Sequence, residues 1–281
     1  MTARLDFSAA PLPALFISHG SPDTAIADTA AAGWLKRLAA ELPRPRAIVV
    51  VSAHFEVTGH VAVSADPKPE TIHDFGGFAP ELYAIQYPAP GEPELARQIA
   101  GRLQTAGFAA RAVDSRGFDH GVWVPLTLIY PDAQIPVVSV SVDPQQGPAH
   151  HYRLGQALAG LGRDGVLVIG SGSFTHNLGE AFKALRTGKR TAPVPGWVQA
   201  FTTWMGERLA ANDIAGLLAY RATAPFAVEN HPTDEHLLPL YVAMGAAGET
   251  GTAQLLHDSA EFGVLSMSMW RFDPAPVTQA A

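Results

Sequence analysis

Residues 47–54, AIVVVSAH, decide the fold. The stretch is apolar and β-branched, and it lacks the polar alternation of a sheet with one wet face. Such runs belong to strands buried on both faces, as in parallel sheets covered by helices. Two more runs read the same way, PALFIS at 13–18 and GVLVIGS at 165–171. Between the first two, TAAAGWLKRLAAEL at 29–42 has helical periodicity. Residues 13–53 are therefore a βαβ unit, whose two strands end on the same side. Each run stops at or within a few residues of a histidine: His19, His54 and His176. In open α/β sheets ligands bind beyond the carboxyl ends of the strands.

The rest of the chain extends the pattern. Strands are expected in HVAVSA (60–65), AARAVD (109–114) and IPVVSVSVD (135–143). Helices are expected in PELARQIAGRLQTAG (93–107), HHYRLGQALAGLG (150–162) and three stretches between 176 and 220. HPTDEHLLPLYVAMGAAG (231–248) is the last strong helix, and TAQLLHD and FGVLSMSMWRF close the sheet. Residues 71–91, rich in glycine, proline and aromatics, form a long functional loop. The expected fold class is α/β, a central and mostly parallel mixed sheet with helices on both faces. One domain spans 1–281, with a frayed tail at DPAPVTQAA.

Composition narrows the function. The chain has 281 residues, 47% of them hydrophobic and 16% charged, which suits a globular protein with a large core. A net charge of −7 opposes non-specific nucleic-acid binding, which needs lysine and arginine to neutralise phosphates. There is no cysteine, so disulfides, zinc–thiolate sites, iron–sulfur clusters and thiol nucleophiles are excluded. No run reaches the ~20 apolar residues of a membrane span. The N-terminal MTARLDFSAA has no apolar core of signal-peptide length. A soluble cytoplasmic protein is expected.

Imidazole is the commonest metal-binding side chain. Gly20 and Pro22 reverse the chain after His19 and free it to face a crevice. His54 repeats the arrangement one strand on. No H-E-x-x-H spacing is present, so a shared site must be tertiary. In NHPTDEH (230–236), Thr233 or Asp234 caps a helix that carries His236 in its first turn, with His231 just before it. One of these two is the expected third ligand. GSGS (170–173) reads as a tight turn presenting His176, whose ring exchanges a proton near neutrality. His120, with Asp119 beside it as orienting partner, is a second such group. His73 in the aromatic loop lines the pocket. His60, His150, His151 and His257 are surface or structural residues.

The ordered set ISHGSP (17–22), VVSAHF (50–55), YPAPG (87–91), FDHGVWVPL (118–126), SGSFTHNL (171–178) and HPTDEHLLPLYVAMGAA (231–247) resembles the class III extradiol ring-cleavage dioxygenases. It is most similar to their 4,5-DOPA dioxygenase branch, within the superfamily of protocatechuate 4,5-dioxygenase. The resemblance implies a mononuclear metal site, Fe(II) for activity with Zn(II) at the same position in some members. It implies His19 and His54 as ligands, His176 as the acid–base group and His120 as the second active-site histidine. Its better-studied members place a glutamate shortly before a glycine–alanine pair. Here His236 stands at that distance from Gly245 and Ala246, with His231 and Glu235 as rivals.

The implied partners are a catechol and O2, with no nucleic acid and no membrane; homo-oligomers are compatible with the pattern. The implied product is a muconic semialdehyde. Phe75, Phe78 and Tyr83, with His73 and His231, would hold the substrate ring, the aromatics by stacking. Two other readings fit the same histidines. One is a zinc hydrolase with three imidazoles and a water; the other is a non-catalytic binding protein on the same fold.

Overall fold

The computed structural model describes residues 11–186 and 190–275. The N-terminal MTARLDFSAA and the tail from 276 lie outside the described residues. Strands and helices follow one another in chain order. They are β1 (Ala14–Ser18), α1 (Ala30–Leu38), β2 (Ala47–Glu56), β3 (Val61–Ser64), α2 (Pro80–Tyr83), α3 (Pro93–Thr105) and β4 (Ala110–Val113). Next come α4 (His120–Ile129), β5 (Val137–Val142), α5 (Pro148–Leu158), β6 (Val166–Gly172), α6 (Leu178–Leu185) and α7 (Gly196–Ala210). Four more helices follow, α8 (Ile214–Leu218), α9 (Tyr220–Thr223), α10 (Ala227–Asn230) and α11 (Leu238–Ala246). The chain closes with β7 (Thr252–His257), β8 (Ala260–Glu261), β9 (Leu265–Ser266) and β10 (Met269–Asp273).

Eight strands form one sheet in the order β4-β3-β5-β2-β6-β1-β10-β7, and β8 pairs with β9 separately. The centre, β5-β2-β6-β1, is parallel throughout. β3 runs antiparallel to β5, and β10 runs antiparallel to β1 and β7. The mixed, mostly parallel sheet is thus as the sequence reads. Successive residues of β2 feed opposite cores. Ala47, Val49 and Val51 pack towards α3, α5, α7 and α11. Ile48 and Val50 pack towards α1 and α4. Both faces being dry is why the strand sequence has no polar alternation.

Three local expectations change. GSGS is not a turn, because β6 continues through Gly172. His54 lies inside β2, which runs on to Glu56. The last helix starts at Leu238, so His236 sits in the turn before it, where Leu237 N and Leu238 N donate to the Asp234 carbonyl. No helix among the described residues is long and apolar enough to cross a membrane.

Candidate metal centre

Parallel pairing brings the ends of β1, β2 and β6 to one rim, and three histidines meet there. His19 is the first residue past β1, and its backbone N donates to the Gly172 carbonyl at 3.0 Å. The turn after it depends on Gly20, whose φ of +71° suits a residue without Cβ. His236 is held against β6 by a 2.8 Å bond from Ser173 N to its carbonyl. That approach needs Gly172, since an added Cβ would stand 2.1 Å from the His236 oxygen.

The three rings converge through Nε2. His54 Nε2 lies 3.1 Å from His19 Nε2 and 3.2 Å from His236 Nε2. The outer nitrogens fix two tautomers. Ser171 Oγ donates its only proton to the Gly121 carbonyl, so it accepts from His19 Nδ1–H at 3.0 Å. The Glu235 carboxylate accepts from His236 Nδ1–H at 2.9 Å. Both Nε2 atoms therefore present lone pairs, and His54 can donate to only one of them. His54 Nδ1 lies 3.6 Å from Asp74 Oδ2.

Burial keeps these rings neutral. His19 and His236 are pushed well below the usual imidazole range, first by desolvation and then by neighbouring histidines. His54 is pushed down to about 3 by burial and by His120, against the opposing pull of Asp74. Facing lone pairs in a buried spot are unfavourable unless a cation sits between them. Imidazoles around one ion at ~2.0–2.1 Å stand roughly 3.0–3.4 Å apart. The observed separations fit, so this donor set suits a divalent transition metal.

Two more histidines flank the triad. The His120 ring lies 3.9 Å from that of His54 and 5.3 Å from that of His19. Donor atoms of His19, His54 and His120 also fall within 4.8 Å of one another. His120, however, turns Nδ1 to Asp74 Oδ1 at 3.0 Å. His176 stacks on His236 with centroids 3.4 Å apart and 13° between planes. Its Nδ1 is 3.9 Å from Glu235 Oε1, and burial pushes it down to about 4. Donor atoms of His176, Glu235 and His236 form a second group within 4.8 Å.

Other candidates fall elsewhere. His231 is buried, with Nε2 donating to the Phe174 carbonyl at 3.0 Å and its ring against Phe201 and Tyr220. It does not join the convergent rings. Asp119 is not the partner of His120. Its carboxylate accepts from Ser52 Oγ at 2.6 Å and from Arg116 at 2.5 Å, because its extended N-cap backbone turns its side chain away from that of His120 in the first helical turn. The Phe75 ring lies 5.9 Å from His120, with Phe78, Tyr83 and Trp123 around it. His73 stands behind Phe75 and gives Nε2 to the Ile85 carbonyl. His60 and His150 line a separate cavity of about 200 Å³ with Phe108 and Arg153. His151 is buried between Gly147 and Asp143, and His257 stacks on Trp34. Sequence reasoning missed Ser171 and Asp74. Asp74 is 46 residues from His120, and nothing local in TIHDFGG marks it.

Residues 13–272 match the family model described as the catalytic LigB subunit of aromatic ring-opening dioxygenase. The 4,5-DOPA dioxygenase extradiol of Beta vulgaris is 42% identical over 263 residues, covering 92% of this chain and 95% of the relative. The Escherichia coli K12 protein of the same name is 36% identical, covering 92% and 94%. An uncharacterised E. coli K12 protein of known crystal structure superposes with a TM-score of 0.75 at 31% identity, covering 92% of this chain and 99% of that one.

Proposed function

The chain belongs to the LigB family of aromatic ring-opening dioxygenases, and on that premise we propose that it is an Fe(II)-dependent extradiol dioxygenase acting on a catechol that carries a DOPA-like side chain. The observation that carries this reading is the meeting of three imidazole nitrogens, two of them bare lone pairs, in a buried spot. His19, His54 and His236 would hold the metal. Bound there, Fe(II) supplies the one-electron chemistry that lets triplet O2 react with a singlet catechol, which Zn(II) cannot do.

The chain's own groups supply the rest. Burial of His19 and His236 keeps their ligand nitrogens unprotonated. His120 and His176 stand on either side of it and are the groups to take and return the catechol proton. His120 has Nδ1–H committed to Asp74, so Nε2 is its exchangeable atom. Phe75, backed by His73 and Tyr83, offers a ring face beside His120. Both oxygen atoms of O2 enter the product, a muconic semialdehyde, as one ring C–C bond beside a hydroxyl is broken. No other reductant is needed. The reading assigns the enzyme to the cytoplasm, where iron is kept ferrous.

The test is oxygen uptake after anaerobic Fe(II) loading, with DOPA, caffeate and protocatechuate as substrates. Uptake with a yellow product is expected, strongest with DOPA. No uptake across a broad catechol panel sinks the reading.

A further inference from the structure

Asp74 lies in the loop before α2, and its single carboxylate faces two of the five clustered histidines. Oδ1 accepts from the His120 backbone N at 2.9 Å and from His120 Nδ1 at 3.0 Å. Oδ2 lies 3.6 Å from His54 Nδ1. The first of these bonds also caps α4 from outside its own chain segment, since Asp119 at the N-cap makes no side-chain cap. Oδ1 already takes the His120 backbone N–H, so towards the ring it acts as an acceptor. His120 must carry its proton on Nδ1, and Nε2 is left without a hydrogen-bond partner among the described residues.

The loop does not depend on Asp74 for its own shape. Ile72 N donates to the Phe118 carbonyl at 2.7 Å, and Trp123 Nε1 donates to the Ile72 carbonyl at 3.0 Å. His73 Nε2 donates to the Ile85 carbonyl at 3.0 Å, and Tyr87 N to Thr71 Oγ1 at 2.8 Å. With the backbone anchored on both sides, the carboxylate is presented to the histidines by a rigid support. We propose that Asp74 is a positioning residue of this centre, holding His120 in its Nδ1–H tautomer by a hydrogen bond and facing His54 Nδ1 at ion-pair distance with the same carboxylate. Partners of this kind to ligand histidines set ring orientation and basicity, and losing one costs about 10–100-fold in metal affinity or activity. The activity arm of the test rests on the dioxygenase reading; the other arms do not.

The experiment compares wild type, Asp74→Ala and Asp74→Asn. Imidazole ¹⁵N spectra of the diamagnetic Zn(II)-loaded protein report the tautomer, with His120 assigned by the signal lost in His120→Gln. Zn(II) titration calorimetry reports affinity, and Fe(II)-loaded oxygen uptake reports kcat and KM. The alanine variant should move His120 to the Nε2–H tautomer and weaken Zn(II) about 10-fold. Its kcat should fall about 10–100-fold with KM within about 3-fold. The asparagine variant keeps an acceptor and should retain the tautomer with intermediate losses. A folded Asp74→Ala with a wild-type imidazole spectrum or wild-type Zn(II) affinity overturns the proposal. Should the alanine variant not fold, an Asp74→Asn with unchanged Zn(II) affinity and kcat overturns it. Absence of oxygen uptake in wild type defeats the preceding reading, while spectrum and affinity still decide this one.

Discussion

Ser171 and His19 face each other between adjacent parallel strands, and the hydroxyl decides which nitrogen of the imidazole is free. Its proton goes to the Gly121 carbonyl, so it accepts from His19 Nδ1–H and leaves Nε2 as a lone pair. Ser171→Ala removes that acceptor and orphans a buried N–H. Zn(II) affinity should fall about 10-fold or more, read by titration calorimetry. Unchanged affinity would show that the tautomer is set by something else.

His236 and His231 should separate cleanly. His236→Ala removes one of three convergent nitrogens and should leave protein that retains no stoichiometric metal after desalting. His231→Ala should keep its metal but lose stability. It leaves a cavity between Phe201 and Tyr220 and an unpaired Phe174 carbonyl, at a cost of roughly 2–4 kcal/mol. Metal analysis and urea unfolding of both variants are the measurements; the reverse pattern would overturn the ligand set.

Gly172→Ala tests the close approach of the His236 segment. The new Cβ would lie 2.1 Å from a backbone oxygen, and backbone cannot rotate away as a side chain does. A loss of about 1–3 kcal/mol is expected, together with weaker metal binding as His236 is displaced. A variant with wild-type Tm and metal content would show that the segment moves freely.

Acid should destabilise the metal-free protein. Burial holds His151 and His231 at about 4, against an ordinary 6.5. Between those values the unfolded chain binds protons that the native state refuses, so stability falls as pH drops from 6.5 towards 4. Each group contributes up to roughly 3 kcal/mol over that window. Above pH 6.5 both states are neutral and the slope vanishes. Urea unfolding of apo-protein at pH 7.5 and 5 measures it, and His151→Gln should reduce it by that residue's share, the other buried histidines keeping the rest. Equal stability at both pH values contradicts burial as the cause.

Phe75→Ala probes the ring pocket. An aromatic contact is worth about 0.5–1.5 kcal/mol beyond its area, so KM for the catechol should rise about 3–10-fold with kcat little changed. An unaltered KM would place the substrate elsewhere.

Much of the fold was legible because its strands are buried on both faces. AIVVVSA, ALFIS and VLVIG carry no polar alternation, and that pattern is local. His19 and His54 were legible for the same reason, since parallel strands with right-handed crossovers end on one side. NHPTDEH offered His231 and His236 together, the resemblance favoured His236, and its place before the helix, not in its first turn, came from the Asp234 turn.

What the tertiary structure alone decided is the set of partners that aim the rings. Ser171 serves His19 from 152 residues away, and Asp74 serves His120 from 46. Asp119, the neighbour in sequence, turns to Ser52 and Arg116 instead. The GSGS glycines proved to be clearance, Gly170 for the Pro239 carbonyl and Gly172 for the His236 carbonyl, not a turn. A chain segment determines its own strand or helix from short-range pattern. Which nitrogen of a histidine is left bare depends on acceptors that pairing and packing bring from elsewhere in the chain, and no local spacing encodes them.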